Sequence, residues 1–480
     1  MSSEASTKPR EWLWYALGVL LTPLLLRTLG LDTRQLLAVG SFCVILFGAI
    51  FFWKFRLAFA SFGVALLLST GLLDIPHLIE FAGLDIILFL VGMMTVVGFL
   101  EEQHFFEHLI DRLLLWVGPH PKRLIVLLMV AACVSAALVD EVTSILFMVA
   151  ALLNLLANSG VNPAPFILML VFTTNIGSSA TVVGNPIGVL IALRSGLTFA
   201  DFIRWASPIS LVCLAVTIPI CLWLFAKDIR ALKGALSGRR GERKLERMVA
   251  EDHIARKRLR QAWWLFGAVL LGLVLHHPLE HLLRLPNNTM LLSVALFGGG
   301  IALAFSGERS RDLVEKRVDW LTLAFFLLLF ASVGTLKQQG VTGVIAQRII
   351  ELSGGNPPLL TTLFGWSSWV LTSVMDNVLA VATFVPIVND VAAQGLPTFP
   401  LWWAMLMGGT LGGNATLVGS TANIVAAGLL ERRKLGEITF RQWLKPGLIV
   451  AITTMVIANL LLLAQLSLMP HSVGGMPVVH

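Results

Sequence analysis

Apolar residues along this chain do not alternate with polar ones. They run together in stretches of about 17–20 residues, long enough to cross about 30 Å of hydrocarbon at about 1.5 Å per residue. The runs predict spans near 12–29, 35–53, 57–73, 83–100, 163–193, 205–225, 262–277, 288–305, 319–336, 400–428 and 446–467. Two more apolar pairs, 122–158 and 358–389, are each interrupted by a short polar tip and read as hairpins that enter and leave on one side. The pattern predicts an all-α polytopic membrane protein with about 11 transmembrane helices and two re-entrant hairpins.

Two spans depart from the pattern. "TNIGSSATVVGNPIG" (174–188) and "TLGGNATLVGSTANI" (410–424) put Gly, Ser, Thr, Asn and Pro at membrane depth, where an unbroken helix is the rule. Residues 175–189 align with 410–424 at a constant offset of 235, with Gly177/Gly412, Ala180/Ala415, Thr181/Thr416, Val183/Val418 and Gly184/Gly419 identical. Upstream, "LVDEV" (138–142) aligns with "VMDNV" (374–378), Asp85 aligns with Asp319, and "LTF" (197–199) answers "ITF" (438–440). A span, a hairpin with an acidic tip, a broken span and a closing span thus occur twice. Each unit holds five full crossings, so the second copy is expected upside down relative to the first. The expected organisation is an N-terminal segment with the first span (1–34), a first repeat (35–225), a linker (226–260), a second repeat (261–467) and a tail (468–480).

Inverted repeats with interrupted helices at corresponding positions point to the binding site of a secondary transporter. Breaking a helix frees amide donors and carbonyl acceptors that are costly unless a bound ion or substrate meets them. Thr181, Asn185, Asn414, Thr416, Ser420 and Asn423 would add side-chain ligands. The candidates for ion or substrate binding are therefore Asp140, Glu141, Asn175, Ser178, Thr181, Gly184, Asn185, Asp376, Asn377, Asn414, Thr416, Gly419, Ser420 and Asn423.

Asp140, Glu141 and Asp376 stand at otherwise apolar tips, where a carboxylate costs about 2.5–3.5 kcal/mol to insert and tends to be functional. Such groups can exchange a proton near neutral pH or ligate a hard cation such as sodium, and the residues leave both open. Asn389 and Asp390 are expected in solvent at the outer end of the second hairpin.

Composition narrows the picture. The 480 residues are 56% hydrophobic and 13% charged, against roughly a quarter charged in soluble domains. With the N-terminus cytoplasmic, 28 of the 35 Lys and Arg residues fall in inside segments, as the positive-inside rule asks, and the C-terminus lies outside. Twelve of them lie in 226–260, which reads as a solvated linker touching anionic lipid rather than a nucleic-acid contact, since no aromatic interleaving accompanies it. The first apolar run is expected to be a retained span, not a signal peptide, because no small-x-small cleavage site follows it. Cys43, Cys133, Cys213 and Cys221 lack metal or disulfide spacing. "HFFEH" (104–108) matches an inverted zinc-peptidase pattern without a third ligand, and His276, His277 and His281 fall at an expected outer loop. No phosphate-binding loop of the G-x-x-x-x-G-K-[ST] type is present.

The tips "DEV" and "DNV", the segment "TNIGSSATVVGNPIGVLIA" and above all "GGTLGGNATLVGSTANIVAAG" (408–428) resemble the ion transporter superfamily over about 35–467. The likeness is to its branch of arsenite permeases, D-type sodium/proton antiporters and P protein, with divalent-anion/sodium symporters more distant. The resemblance implies two inverted repeats, a homodimer with scaffold helices at its interface, and a transport unit moving elevator-fashion. The anion symporters carry a Ser-Asn-Thr triplet at the tips; Asp140–Glu141 and Asp376–Asn377 stand there instead. The antiporter-like branch usually has Asp-Asn at the first tip and an Asp/Thr-Pro-Pro-Asn ending where this chain has "NPIG" (185–188). The function expected is secondary active transport of a small inorganic ion across the plasma (inner) membrane, either sodium/proton antiport or arsenite-type efflux. The coupling ion would be sodium or a proton, with no cofactor. A sodium-coupled di- or tricarboxylate symporter is the alternative. A membrane-embedded metalloenzyme built on "HFFEH" is the alternative from another class; an enzyme is not expected.

Overall fold

The computed structural model describes residues 9–106, 108–110, 112, 120–156, 160–236 and 256–470, and these form helices joined by short turns. The first half runs α1 Pro9–Leu26, α2 Thr33–Phe51, α3 Arg56–Ser69, α4 Ile75–Phe81, α5 Leu84–Glu102, α6 Pro121–Leu138, α7 Glu141–Leu156, α8 Ala164–Ser178, α9 Pro186–Ser195 and α10 Ser207–Leu224. After α11 (Ala226–Leu236), the second half runs α12 Arg256–Leu283, α13 Thr289–Ser306, α14 Ser310–Arg317, α15 Trp320–Gln338 and α16 Val341–Ser353. It continues with α17 Pro357–Val374, α18 Asn377–Ala393, α19 Phe399–Gly412, α20 Thr421–Arg432 and α21 Phe440–Gln465. Among the described residues nine helices are long and apolar enough to cross a membrane, one being α6, an arm of the first hairpin. The other eight, with α3 and the two interrupted helices, make up the expected crossings.

Short polar residues set where these helices start and stop. The first hairpin turns on Val139 and Asp140 alone; the Asp140 carboxylate accepts the backbone N–H groups of Val142 and Thr143, both at 2.8 Å. Asp376 does the same for α18, accepting from the Val378 N–H at 3.0 Å. Both acids are thus N-caps, which satisfy amide donors that lipid cannot. The interrupted helices restart by the same chemistry. Asn185 accepts from the Gly188 N–H at 2.8 Å with Pro186 in the first turn, and Ser420 accepts from the Ala422 N–H at 3.2 Å.

The interruptions are narrower than the sequence suggests: α8 stays helical through Asn175 and Ser178, leaving 179–185 between helices, and α19 continues to Gly412, leaving 413–420. These two half-helices form the centre of the molecule. Every residue of α19 is buried, and all of α8 but Pro165, whereas α1 buries none. Glycines let the hairpins close on them. A methyl group at Gly177 would overlap the Cys133 carbonyl oxygen on α6, and one at the aligned Gly412 would lie 2.7 Å from the Trp369 carbonyl oxygen on α17.

Three expectations need correction. The histidines His276, His277 and His281 lie on α12, which runs on through Pro278 to Leu283, not in a loop; His276 is fully buried with Nδ1 2.7 Å from the Leu273 carbonyl. Asn389 and Asp390 are only partly exposed, and Asp390 accepts a 2.6 Å hydrogen bond from Thr342, because α16 packs over the end of the second hairpin. In the linker, 226–236 is helical and buries Ile229 and Leu232, so its first third is packed rather than solvated; 237–255 lies outside the described residues. Glu107 of "HFFEH" and the tail from 471 also lie outside them.

Candidate functional site

The two hairpin tips and the two interruptions meet at one buried cluster. Glu141, the first residue of α7, is 2% exposed and is its centre. Its Oε2 accepts from the Ser178 hydroxyl at 3.0 Å; its Oε1 accepts from the Asn377 amide at 3.0 Å and the Ser420 hydroxyl at 3.3 Å. Asn377 and Ser420 belong to the second half, so this carboxylate is held by both. Asn185 donates to the Ser178 hydroxyl at 2.9 Å and braces that contact from behind.

A second layer consists of amides. Asn175 on α8 donates to Asn414 Oδ1 at 2.8 Å and to Asn423 Oδ1 at 3.0 Å, joining the halves a second time. Asn423 donates back to the Gly413 and Thr416 carbonyls at 2.7 and 2.9 Å, satisfying acceptors that the interruption leaves open. Asn414 donates to the Phe172 carbonyl at 3.2 Å. The Asn175 Oδ1 is buried with no hydrogen-bond partner among the described residues, an acceptor that a donor or cation could use.

The remaining candidates are placed differently. Thr181 and Thr416 turn their hydroxyls to the hairpin carbonyls of Ala137 and Ser373, the latter at 2.6 Å, so each clasps its own tip to its own interruption. That makes them structural clasps. Gly184 and Gly419 have no room for a methyl group: one at Gly184 would overlap the Ser178 carbonyl oxygen, one at Gly419 would lie 2.9 Å from the Gly413 and Thr372 oxygens. Asp376 accepts from the Thr421 hydroxyl at 2.9 Å through the oxygen not used for capping. Asp140 is the most exposed of the three acids and serves as a cap.

Sequence reasoning missed two contributors. The Trp443 indole donates to the Asn414 carbonyl at 3.0 Å and closes the cluster from α21. Arg56, at the start of α3, stacks 3.8 Å over the Trp53 ring and donates to Thr322 at 2.6 Å, and Asp376 is among the acids whose charge acts on it. An Arg two residues after Lys54 at a helix start carries no signal that its charge is directed at a tip more than 300 residues on. Around Glu141 itself, the interacting side chains among the described residues are neutral or acidic, with no Lys, Arg or His.

Comparison with known proteins extends the picture. The citrate transporter family CitMHS matches residues 42–408. An uncharacterized transporter of Mycobacterium tuberculosis is 32% identical over 390 residues, covering 78% of this chain and 84% of the relative. Human P protein is 24% identical over 78% of this chain, which spans about half (52%) of that longer protein. Among solved structures, the YdaH transporter of Alcanivorax borkumensis, described as having an unusual topology, superposes with a TM-score of 0.55 at 14% identity. That superposition covers 85% of this chain and 90% of the other.

Proposed function

The chain belongs to the CitMHS citrate transporter family of membrane transporters, and we propose that it moves a small inorganic ion by secondary active transport, coupled to sodium or protons, with Glu141 as the exchanging group. The observation that carries this reading is a buried carboxylate held by three neutral donors with no basic side chain to pair it. An isolated ionised carboxylate is too costly in an apolar interior, so the group must take up a proton or a cation whenever the site is closed. A site that must exchange one for the other at each turn has the chemistry of an antiporter. Asn175 Oδ1 would supply a further neutral oxygen to a hard cation. Asp140 and Asp376 hold the tips in place and add negative potential.

Two inverted units gripping one carboxylate fit alternating access by displacement of a transport unit, in a homodimer with the N-terminus cytoplasmic. A second reading, sodium-coupled carboxylate symport, is favoured by the description of the matching family and by the N-termini of α9 and α20 beside the site. Against it, a tricarboxylate would add negative charge next to Glu141, whose interacting side chains among the described residues include no arginine.

The test is flux in proteoliposomes under an imposed pH gradient. Sodium-driven proton exchange or arsenite movement should occur in the wild-type protein and disappear in Glu141→Gln. Citrate uptake that survives Glu141→Gln, with no sodium/proton or arsenite flux in either protein, would overturn the proposal in favour of the symporter.

A further inference from the structure

Away from the central cluster, three helix ends converge: the C-terminus of α5, the first turns of α12 and the C-terminus of α13. Spans end where hydrocarbon gives way to headgroups, so this convergence lies at the level of the lipid headgroups. It encloses a cleft of about 370 Å³, near the small end of the roughly 300–1,000 Å³ typical of ligand sites.

The lining has three kinds of chemistry. Gln103, just past α5, is 4% exposed and offers its side-chain amide to the cleft it lines. At the rim, Glu308 and Arg309 follow the sharp turn at Gly307 (φ 57°), and neither forms an ion pair among the described residues. The neighbouring acid Glu101 is committed to Arg317 at 2.9 Å. On the third side, Phe99 and Phe305 stand with ring centroids 6.0 Å apart, and Phe305 is 43% exposed toward the apolar surface.

We propose that this cleft binds the headgroup of a zwitterionic phospholipid, a phosphoethanolamine ester. Arg309 takes the phosphate, its planar donor fork matching the phosphate oxygens. Glu308 takes the ammonium. The Gln103 and Gln261 amides meet the ester oxygens, and an acyl chain leaves along Phe305. One cation and one anion side by side select a zwitterion: an anionic headgroup would confront Glu308, and a simple cation would confront Arg309. The exposed phenylalanine wall selects a lipid over a free phosphoester. Because α5 belongs to the first half and α12 and α13 to the second, the lipid would bridge the halves.

The test uses the full-length protein in detergent, by native mass spectrometry and thermal unfolding. Dioleoyl-phosphatidylethanolamine should remain bound at one equivalent per chain and raise the unfolding midpoint; dioleoyl-phosphatidylglycerol should do neither. Arg309→Ala, Glu308→Gln and Gln103→Ala should each weaken the lipid about tenfold, while sodium-driven or arsenite flux, which does not use these residues, stays at the wild-type rate and reports that the variants fold. Equal binding of the two lipids, or unchanged phosphatidylethanolamine binding in the Arg309→Ala/Glu308→Gln double variant, overturns the proposal. So does a midpoint shift reproduced in full by soluble phosphoethanolamine, which would assign the cleft to a free solute.

Discussion

The two halves of the central site share a scaffold and differ in chemistry. In each, a carboxylate caps the second arm of the hairpin, a threonine clasps the tip to the interruption, and a glycine admits the first arm against the half-helix. At the tips the copies diverge: the first offers Glu141 where the second offers Asn377, and these two bond to each other. They diverge also in exposure. Val183 in the first interruption is 4% exposed, while the aligned Val418 is 42% exposed. Duplication supplied two matched frames, and a single acidic side chain at their junction makes the pair chemically one site.

The comparison can be broken most forcefully at the tips. Glu141→Gln should abolish gradient-driven flux in proteoliposomes, whereas Asn377→Ala, which removes one hydrogen bond to a charged group, should lower it about tenfold. Equal losses would mean that the halves contribute alike. The exposure difference predicts that Val418→Cys reacts with a water-soluble maleimide about tenfold or more faster than Val183→Cys, read by mass shift in membranes. Comparable labelling would place both interruptions in one environment. Packing should differ less. Gly177→Ala is expected to cost about 3 kcal/mol and Gly412→Ala about 1–2 kcal/mol in thermal unfolding, because the former drives its methyl deeper into a carbonyl oxygen. The clasps should be nearly equal: Thr181→Val and Thr416→Val should each cost about 1 kcal/mol, and a difference beyond that would show that the frames are not equivalent.

Much of this was legible in the sequence because lipid imposes strict rules. Glycine, asparagine and serine at membrane depth mark an interruption whatever the surroundings, and "DEV" and "DNV" stand out in apolar runs. The pairing of the halves was not legible. The Asn175–Asn414–Asn423 layer joins residues more than 230 positions apart, and nothing local distinguishes an amide that reaches across from one that caps its own helix. Thr181 and Thr416 show what a motif leaves out: their hydroxyls donate to the Ala137 and Ser373 carbonyls, contacts that no local pattern announces. Gln103 went unnoticed because the cleft it lines is built from helix ends that only tertiary packing assembles.

The contact at Gly177 has a kinetic consequence. With no clearance for a side chain between Cys133 and Gly177, nor room to spare between Trp369 and Gly412, each hairpin packs tightly on its half-helix, which favours movement of the two together. In the proposed transport cycle, solute would then be carried by sliding the whole hairpin-and-half-helix block through the bilayer, dragging annular lipid along its perimeter. Turnover should therefore depend on acyl-chain length, slowing in membranes thicker or thinner than the block's own apolar belt.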